Sequence, residues 1–130
     1  MIKKPTPYLF AFLFAIGLFS CEEREKLAVT ATAYNSLEAQ TKKGDAVTTA
    51  WGDKLEPGMK AIAVSRDLLN EYGLSYNAKV KIEGLSGTYR VLDKMNKRWK
   101  KRIDIYMGTD LDKAREWGKQ EVEITWIAEN

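Results

Sequence analysis

Two segments of the chain share a strand–helix–strand pattern, and this repetition restricts the possible folds more than any other feature. Glu71-Tyr72-Gly73 ends a short predicted helix and is followed by the alternating residues Val80-Lys81-Ile82. Glu116-Trp117-Gly118 and then Val122-Glu123-Ile124 repeat this order. Because the spacing after the glycine differs, the similarity indicates a weak internal repeat of structure rather than a tandem array.

The remaining periodicity predicts six short strands and two short helices. The strands are predicted at residues 27–34, 61–65, 78–82, 87–93, 103–107 and 121–127. Ser65 is expected to cap the first helix, over 66–72, and Thr109 with Asp112 resembles a capping box that opens the second. Residues 35–60 lack apolar periodicity and are predicted to form a long surface loop. Six strands in two matching halves favour a mostly β fold, a small closed barrel with approximate two-fold symmetry, which is the plan of the double-psi β-barrel.

The N-terminus has the pattern of a secretory signal. Lys3-Lys4 precedes an apolar stretch over residues 8–19, which is shorter than the roughly 20 residues needed to span a membrane. We therefore expect residues 1–20 to be removed on export.

A cysteine follows this segment directly. Leu18-Phe19-Ser20-Cys21 is similar to the lipobox of bacterial lipoproteins. This similarity implies lipidation at Cys21, a lipidated tether over 21–26 and one barrel domain over 27–130. We expect an exported envelope lipoprotein, held in the outer membrane and facing the periplasm. The alternative is an ordinary signal with a nearby cleavage site and an incidental cysteine.

The composition excludes several kinds of active site. The chain contains no His, and its single Cys lies at the predicted cleavage site. A Ser-His-Asp or Cys-His nucleophile system and an imidazole-ligated zinc site therefore cannot be built, and acid–base chemistry is left to Asp, Glu, Lys or Tyr. Once Lys3 and Lys4 are removed with the signal, 19 of the 21 basic residues remain beside 18 acidic ones, so the net charge of about +1 indicates no particular partner.

Several short motifs resemble those of one group of wall-active proteins. They are Ala61-Ile62-Ala63-Val64, Leu92-Asp93, the run from Arg102 to Gly108, and Ala114 with Trp117-Gly118. From about Lys60 to Trp126 the chain is similar to the 3D domain, named for three aspartates, and to the C-terminal barrel of membrane-bound lytic transglycosylase A. The stretch 93–104 also resembles rare lipoprotein A, and Thr32-Ala33-Tyr34 resembles a strand of expansins and barwin-like endoglucanases. The resemblance implies a double-psi β-barrel that acts on polysaccharide.

One position departs from the 3D pattern. Where that pattern has its first aspartate, after Ala63-Val64, this chain has Ser65, and Asp67 follows on the predicted helix. Two interpretations stay open. Either Ser65 caps the helix while Asp67 substitutes for the carboxylate, or the position is not catalytic in this chain.

The resemblance assigns Asp104 the role of general acid. In lytic transglycosylases this group protonates the glycosidic oxygen and then acts as base while the 6-hydroxyl of muramic acid closes on C1, giving a 1,6-anhydro product without water. A hydrolase would need a second carboxylate roughly 5–9.5 Å away, and Asn35-Ser36 stand where the endoglucanases carry it. The alternative for Asp104 is a structural carboxylate paired with Arg102, its neighbour on the same strand face.

Asp93 is the predicted partner of Asp104. Arg102 and the other nearby cations would lower the pKa of Asp104, whereas a second carboxylate beside it would raise the pKa of one member of the pair. We therefore expect Asp93 to lie beside Asp104 and to supply this repulsion. The other interpretation is a turn residue that bonds backbone amides.

Seven residues are predicted to contact the substrate, chiefly because aromatic rings stack on sugar faces while their polar tips reach hydroxyl groups. They are Thr32, Tyr34, Trp51, Asp53, Trp99, Arg102 and Tyr106. Trp51 and Trp99 are the best candidates because predicted loops hold them. Trp117 and Trp126 follow the core periodicity and are expected to pack inside.

A basic loop connects two of the predicted strands. Lys94, Lys97, Arg98, Lys100, Lys101 and Arg102 crowd this stretch. A solvated surface is the default interpretation, and an anion-binding rim for the carboxylates of peptidoglycan stems is the second. Nucleic acid is the least favoured, because the chain is expected to be exported.

The predicted function is cleavage of peptidoglycan by a lytic transglycosylase-like mechanism. The main rival is a non-catalytic, expansin-like wall-binding module, and a structural lipoprotein that binds another envelope protein is a third hypothesis. We expect peptidoglycan or another wall glycan as partner, the membrane through Cys21, no nucleic acid and a monomeric protein. No cofactor and no metal are expected, since the scattered acids show no calcium-loop pattern.

Overall fold

The computed structural model describes residues 23–36 and 47–128, and the predictions for the signal segment and Cys21 lie outside them. In chain order the elements are β1 (Arg24–Tyr34), β2 (Val47–Thr48), β3 (Lys54–Leu55), β4 (Ala61–Val64), α1 (Arg66–Asn70), β5 (Lys79–Ile82), β6 (Tyr89–Lys94), β7 (Arg102–Tyr106), α2 (Leu111–Trp117) and β8 (Gln120–Ile127). All strands except β2 and β3 form one closed barrel. The predicted mostly β fold, a six-stranded barrel with two short helices, is confirmed.

The order of strands around the barrel is β1-β7-β4-β6-β5-β8. Two neighbouring pairs are parallel, β1 with β7 and β4 with β6, and the other pairs are antiparallel. A half-turn about the centre of the β4–β7 pair exchanges β4 with β7, β1 with β6 and β5 with β8. The strand–helix–strand repeat of the sequence therefore fills the two symmetric halves. Each half also uses a strand that precedes the repeat in the chain, which gives the double-psi arrangement.

The barrel interior is filled by alternate residues of the strands. Val80, Ile103 and Ile105 are 0 % exposed and belong to one apolar cluster. Trp126 is buried in this cluster and Trp117 packs against it, so both tryptophans contribute to packing as predicted.

β1 begins earlier than the sequence predicts. Residues 24–26, assigned to the tether, pair with residues 125–127 of β8. The buried cluster extends from Val29 to Trp126, so a protein that begins at Glu22 keeps the whole core. Within the described part of the chain, no helix is both long enough and apolar enough to cross a bilayer.

A second apolar cluster lies outside the barrel wall. Leu55 of the β2–β3 hairpin packs with Ala61, Leu92 and Tyr106. The sequence predicts an irregular loop here, but strands of two residues are too short to show an alternating pattern. The hairpin is stabilised by covering these apolar side chains rather than by its own pairing.

α1 begins at Arg66 as predicted, but the capping hydrogen bonds of both helices differ from the predictions. Ser65 is the N-cap residue of α1, but its side chain makes no capping hydrogen bond. Its Oγ accepts a bond of 3.0 Å from the Arg102 amide instead. Asp110, rather than Thr109, caps α2, because its carboxylate accepts a bond of 2.9 Å from the Lys113 amide.

Candidate functional site

Four neighbouring strands place one residue each in a row across the barrel wall. Thr32 on β1 pairs with Asp104 on β7, Asp104 pairs with Ala63 on β4, and Ala63 pairs with Asp93 on β6. Since adjacent strands lie about 4.8 Å apart, the Cα atoms of Asp104 and Asp93 are roughly 10 Å apart. A cavity of about 240 Å³ opens over this row, and its lining is Tyr34, Ala63, Asp93, Lys94, Met95, Asn96, Trp99 and Asp104.

A β-bulge brings Asp93 into the row. The register of β6 against β4 shifts between Ile62 and Ala63, which leaves Leu92 as an extra residue. Leu92 joins the outer apolar cluster while Asp93, its neighbour in the chain, lines the cavity. Both side chains therefore lie outside the barrel, which regular strand alternation would forbid.

Asp104 is held by a hydroxyl group and is partly buried. Thr32 Oγ1 donates a hydrogen bond of 3.1 Å to Asp104 Oδ1. Burial raises the pKa of the Asp104 carboxyl above its ordinary value, the Thr32 hydrogen bond and the Arg102 charge lower it, and Asp93 adds an increase, so the net shift is upward. The sequence predicts that Asp93 supplies the increase; Asp93 contributes, but burial is the larger cause.

Asp93 lines the cavity and also fastens the β2–β3 hairpin to the barrel. Its Oδ1 atom accepts hydrogen bonds of 2.8 Å from the amides of Ala50 and Lys94. Ala50 lies in the turn between β2 and β3. Asp93 therefore bonds backbone amides and also lines the same cavity as Asp104.

The hydroxyl group of Tyr34 is buried at the same cavity. It makes no hydrogen bond with any described residue. Burial raises the pKa of this hydroxyl, and the charges of Asp93 and Asp104 raise it further. The group therefore remains protonated, and Tyr34 lines the cavity while its hydroxyl oxygen stays buried.

Trp99 forms a wall of the cavity and carries two arginines. The guanidinium of Arg102 lies 3.9 Å from the centre of the Trp99 ring, and that of Arg98 lies 4.8 Å from it. These are cation–π distances. The Arg102 guanidinium stacks on Trp99, and the hydrogen bond to Asp104 comes from Thr32. This geometry favours the Thr32–Asp104 contact over a structural Arg102–Asp104 ion pair.

Trp51 and Tyr76 form an exposed aromatic pair beside the cavity. They are 36 % and 46 % exposed, and their ring centres are 4.9 Å apart. The Lys94 ammonium, which belongs to a residue of the cavity lining, lies 5.2 Å from the centre of the Trp51 ring. The Tyr76 hydroxyl donates a bond of 2.8 Å to Asp53, so Asp53 orients Tyr76 and does not line the cavity. The sequence analysis missed Tyr76, whose signal was an aromatic residue in the loop before β5.

Tyr106 does not line the groove, and that prediction is wrong. Its side chain is only 3 % exposed, and its hydroxyl is hydrogen-bonded to Ser36. Tyr106 does share the outer face with Asp104, as strand alternation requires. However, the outer apolar cluster under the hairpin covers Tyr106, whereas Asp104 remains at the cavity.

Ser65 and Asp67 hold the basic loop rather than replace a catalytic carboxylate. Asp67 is 6 % exposed, and its Oδ2 accepts a bond of 2.9 Å from the Lys101 amide. Burial raises the pKa of Asp67, but hydrogen bonds from the Ser65 hydroxyl and the Lys101 amide outweigh this, and the net shift is downward. Ser65 accepts a bond from the next amide, that of Arg102. The two side chains therefore fix the segment between Trp99 and β7.

The polar groups of the cavity suit hydrogen bonding to a ligand. Within residues 23–36 and 47–128, no group of three or more His, Cys, Asp or Glu side chains is placed to hold a metal ion. The cavity lining holds a carboxyl group of raised pKa at Asp104, a second carboxylate at Asp93 and the ring of Tyr34. This set can exchange a proton with an oxygen atom and orient a polyhydroxylated molecule.

Comparisons with known proteins support the fold. No protein-family model matches the chain, and a search of curated proteins found no match. The Streptomyces papain inhibitor SPI is similar with a TM-score of 0.51 and 15 % identity, over 81 % of this chain and 96 % of that one. A mutant expansin from Clavibacter michiganensis, solved in complex with cellohexaose, gives a TM-score of 0.47 and 13 % identity, over 82 % of this chain and 51 % of its own. At such identities the likeness to SPI shows the fold alone, and the resemblance to the 3D domain and rare lipoprotein A stays a prediction.

Proposed function

We propose that the protein binds cell-wall polysaccharide at the cavity over Asp104 and cleaves it by a lytic transglycosylase mechanism. The observation that supports this most is the Asp104 carboxyl group, which lines an open cavity while burial holds its pKa above the ordinary value. A carboxyl group with a raised pKa is protonated over a wider pH range, so it can act as a general acid. Peptidoglycan is the proposed substrate.

The proposed reaction moves one proton out and one proton back. Asp104 donates its proton to the glycosidic oxygen as the bond from that oxygen to C1 breaks. The resulting carboxylate accepts the proton of the 6-hydroxyl of the same muramic acid, whose oxygen bonds to C1. The product is a 1,6-anhydro sugar, and no water is consumed. Thr32 orients the carboxyl group, and Tyr34, which lines the same cavity, is proposed to contact the sugar.

Asp93 is proposed to act electrostatically and as an anchor rather than as a base. Two backbone amides already bind its Oδ1 atom, that of Ala50 in the hairpin turn and that of Lys94 on β6, so this oxygen links the hairpin to the barrel. A hydrolase that used Asp93 to activate water would release chains with free reducing ends. The chemical form of the product therefore distinguishes the two mechanisms.

Product analysis tests the proposal. The protein from Glu22 onward is incubated with purified peptidoglycan, and the soluble fragments are identified by mass spectrometry. We expect fragments that end in 1,6-anhydromuramic acid. Fragments with reducing ends would identify a hydrolase, and protein that sediments with peptidoglycan without releasing any fragment would overturn the catalytic proposal.

The exposed aromatic pair favours a second candidate, polysaccharide binding without turnover. Trp51 and Tyr76 present ring faces beside the cavity. Replacing both by Ala is expected to weaken peptidoglycan binding about tenfold, because two stacking contacts are lost. Co-sedimentation measures this change, and Ile127→Ala is the matched control, since Ile127 is also exposed but lies away from the cavity. Equal binding by the double variant and the control would exclude the pair from the binding surface.

We also propose that Cys21 is lipidated and holds a monomeric protein in the outer membrane, facing the periplasm. The lipobox-like Leu18-Phe19-Ser20-Cys21 supports this. Cys21→Ser is expected to move the protein from the membrane fraction to the soluble periplasmic fraction, because a lipid chain adds apolar surface that partitions into the bilayer. Immunoblotting of the fractions checks this, and an unchanged distribution would contradict lipid anchoring at Cys21.

A further inference from the structure

A strongly basic surface lies on the barrel away from the cavity. We call it the basic face, and it consists of Arg24, Lys26, Lys79, Lys81 and Arg90, grouped about Ile127. Arg24 pairs with Ile127, and Thr125 lies between Lys26 and Lys81 in the sheet. Lys79 pairs with Arg90. All five cations are exposed, and Ile127 is 47 % exposed, which is unusual for so large an apolar side chain among charges.

The basic face is not neutralised from within the protein. Among the described residues, none of its five cations forms an ion pair, and Arg90 only hydrogen-bonds the Asn77 side chain, at 3.2 Å. Glu121 and Glu123 of β8, and Glu83 just after β5, lie toward the other end of the barrel, whereas Glu25 alternates with Arg24 and Lys26 along β1. This side of the barrel therefore has a positive end and a negative end.

The positive end coincides with the point where the described chain begins. Glu23, the first described residue, directly precedes Arg24 of this face. β1 then runs from Arg24 to Thr32, which is in the row of the cavity. Eight residues of extended strand cover roughly 26 Å, so the cavity lies far from the basic face along β1.

A shallow depression on the basic face combines charge and apolar surface. Its volume is about 200 Å³, and its lining includes Arg24 of β1, Lys79 and Lys81 of β5, and the exposed Ile127. Several separate cations around one exposed apolar side chain match a bilayer surface, where many phosphate groups lie above a hydrocarbon layer. They match one small ligand less well, because a small ligand would contact only one or two of the cations. Charge complementarity thus favours an anionic phospholipid surface as the occupant.

We propose that the basic face docks on the surface of an anionic phospholipid bilayer, with Ile127 among the headgroups. One further support rests on the proposed lipid at Cys21, because three residues of extended chain reach at most about 10 Å from Cys21 to Arg24. An anchor at Cys21 would therefore hold this face close to the bilayer. Docking in this orientation directs the cavity of Asp104 away from the membrane, toward the wall polymer.

Vesicle flotation tests the proposal without the lipid anchor. The unlipidated protein from Glu22 onward is mixed with vesicles of phosphatidylethanolamine and phosphatidylglycerol, or of phosphatidylcholine alone, at low and physiological ionic strength. We expect binding to the anionic vesicles only, weakened by salt. Lys79→Gln with Lys81→Gln is expected to lower the partition coefficient about 30-fold. Lys113→Gln with Lys119→Gln removes the same charge from exposed positions elsewhere and is expected to change it little.

Three outcomes would overturn the proposal. The first is equal binding to neutral and anionic vesicles, and the second is an equal loss of vesicle binding in the two double variants. The third is that Lys79→Gln with Lys81→Gln weakens binding to peptidoglycan while binding to vesicles is unchanged. The last outcome would assign the basic face to the wall polymer. A protein that binds anionic vesicles but releases no anhydro-sugar would contradict the proposed catalysis and leave the docking surface in place.

Discussion

Asp104→Asn is expected to lower the release of anhydro-muropeptides by about 10²–10⁴-fold, the usual contribution of a general acid–base group. Asn keeps the shape of the side chain and can still accept the Thr32 hydrogen bond, but it has no acidic proton to transfer. Binding to peptidoglycan should therefore stay close to that of the unmodified protein. The rate of fragment release and co-sedimentation are measured on the same preparation.

The pH dependence of the proposed cleavage should follow the titration of Asp104. Because the pKa of this carboxyl is raised, the acid form persists above the ordinary range, and activity should fall as pH rises through the raised pKa. Stability should follow the same direction. The folded protein binds this proton more tightly than the unfolded chain, so stability is greatest below the unfolded pKa and decreases as pH rises through the folded pKa. Asp104→Asn should thus melt higher than the unmodified protein at neutral pH and lose this advantage in acid.

Asp112→Asn is the matched control, since Asp112 is an exposed residue of α2 outside the cavity. It should leave the rate of fragment release and the melting temperature nearly unchanged. Full activity of Asp104→Asn would remove Asp104 from the reaction, and the exposed aromatic pair would then be the main support for a binding function.

Asp67→Ala is expected to lower the free energy of unfolding by about 1.5–3 kcal/mol, the range for a hydrogen bond to a charged group. Asp67 is 6 % exposed and accepts the Lys101 amide, so truncation leaves that amide without its partner. The pKa of Asp67 is lowered in the folded protein, so its stabilisation is present above the unfolded pKa and is lost as pH falls through the folded pKa. The difference in free energy of unfolding between Asp67→Ala and the unmodified protein should therefore become smaller in acid. Denaturant unfolding at neutral and acidic pH measures it.

The same substitution should also affect the cavity. Asp67 and Ser65 hold the amides of Lys101 and Arg102, close in the chain to Trp99. Loosening this segment should weaken peptidoglycan binding. Asp112→Ala truncates an exposed side chain and should change neither peptidoglycan binding nor the free energy of unfolding. If Asp67→Ala were as stable as the unmodified protein at neutral pH, the anchoring role would be wrong.

The periodicity of the sequence predicts the barrel because its strands obey regular alternation. Ile103 and Ile105 point inward, so Asp104 must point outward, and its place at the barrel wall follows directly. Asp93 could not be placed in this way, because a bulge breaks the alternation in β6. Tyr106 departs from the predicted groove for a different reason. It alternates correctly, but a hairpin of two-residue strands covers it, and that contact is non-local.

The position of β1 has a consequence for the order of events in biosynthesis. β1 is the first strand of the barrel, yet its neighbours are β7 and β8, which are the last two to be made. Pairs so distant in sequence form slowly, because a long loop must close before any contact is gained. The barrel cannot close before Gln120–Ile127 has been synthesised. A chain directed to a translocation channel would therefore arrive without a finished barrel to unravel, and folding would be deferred to the far side of the membrane.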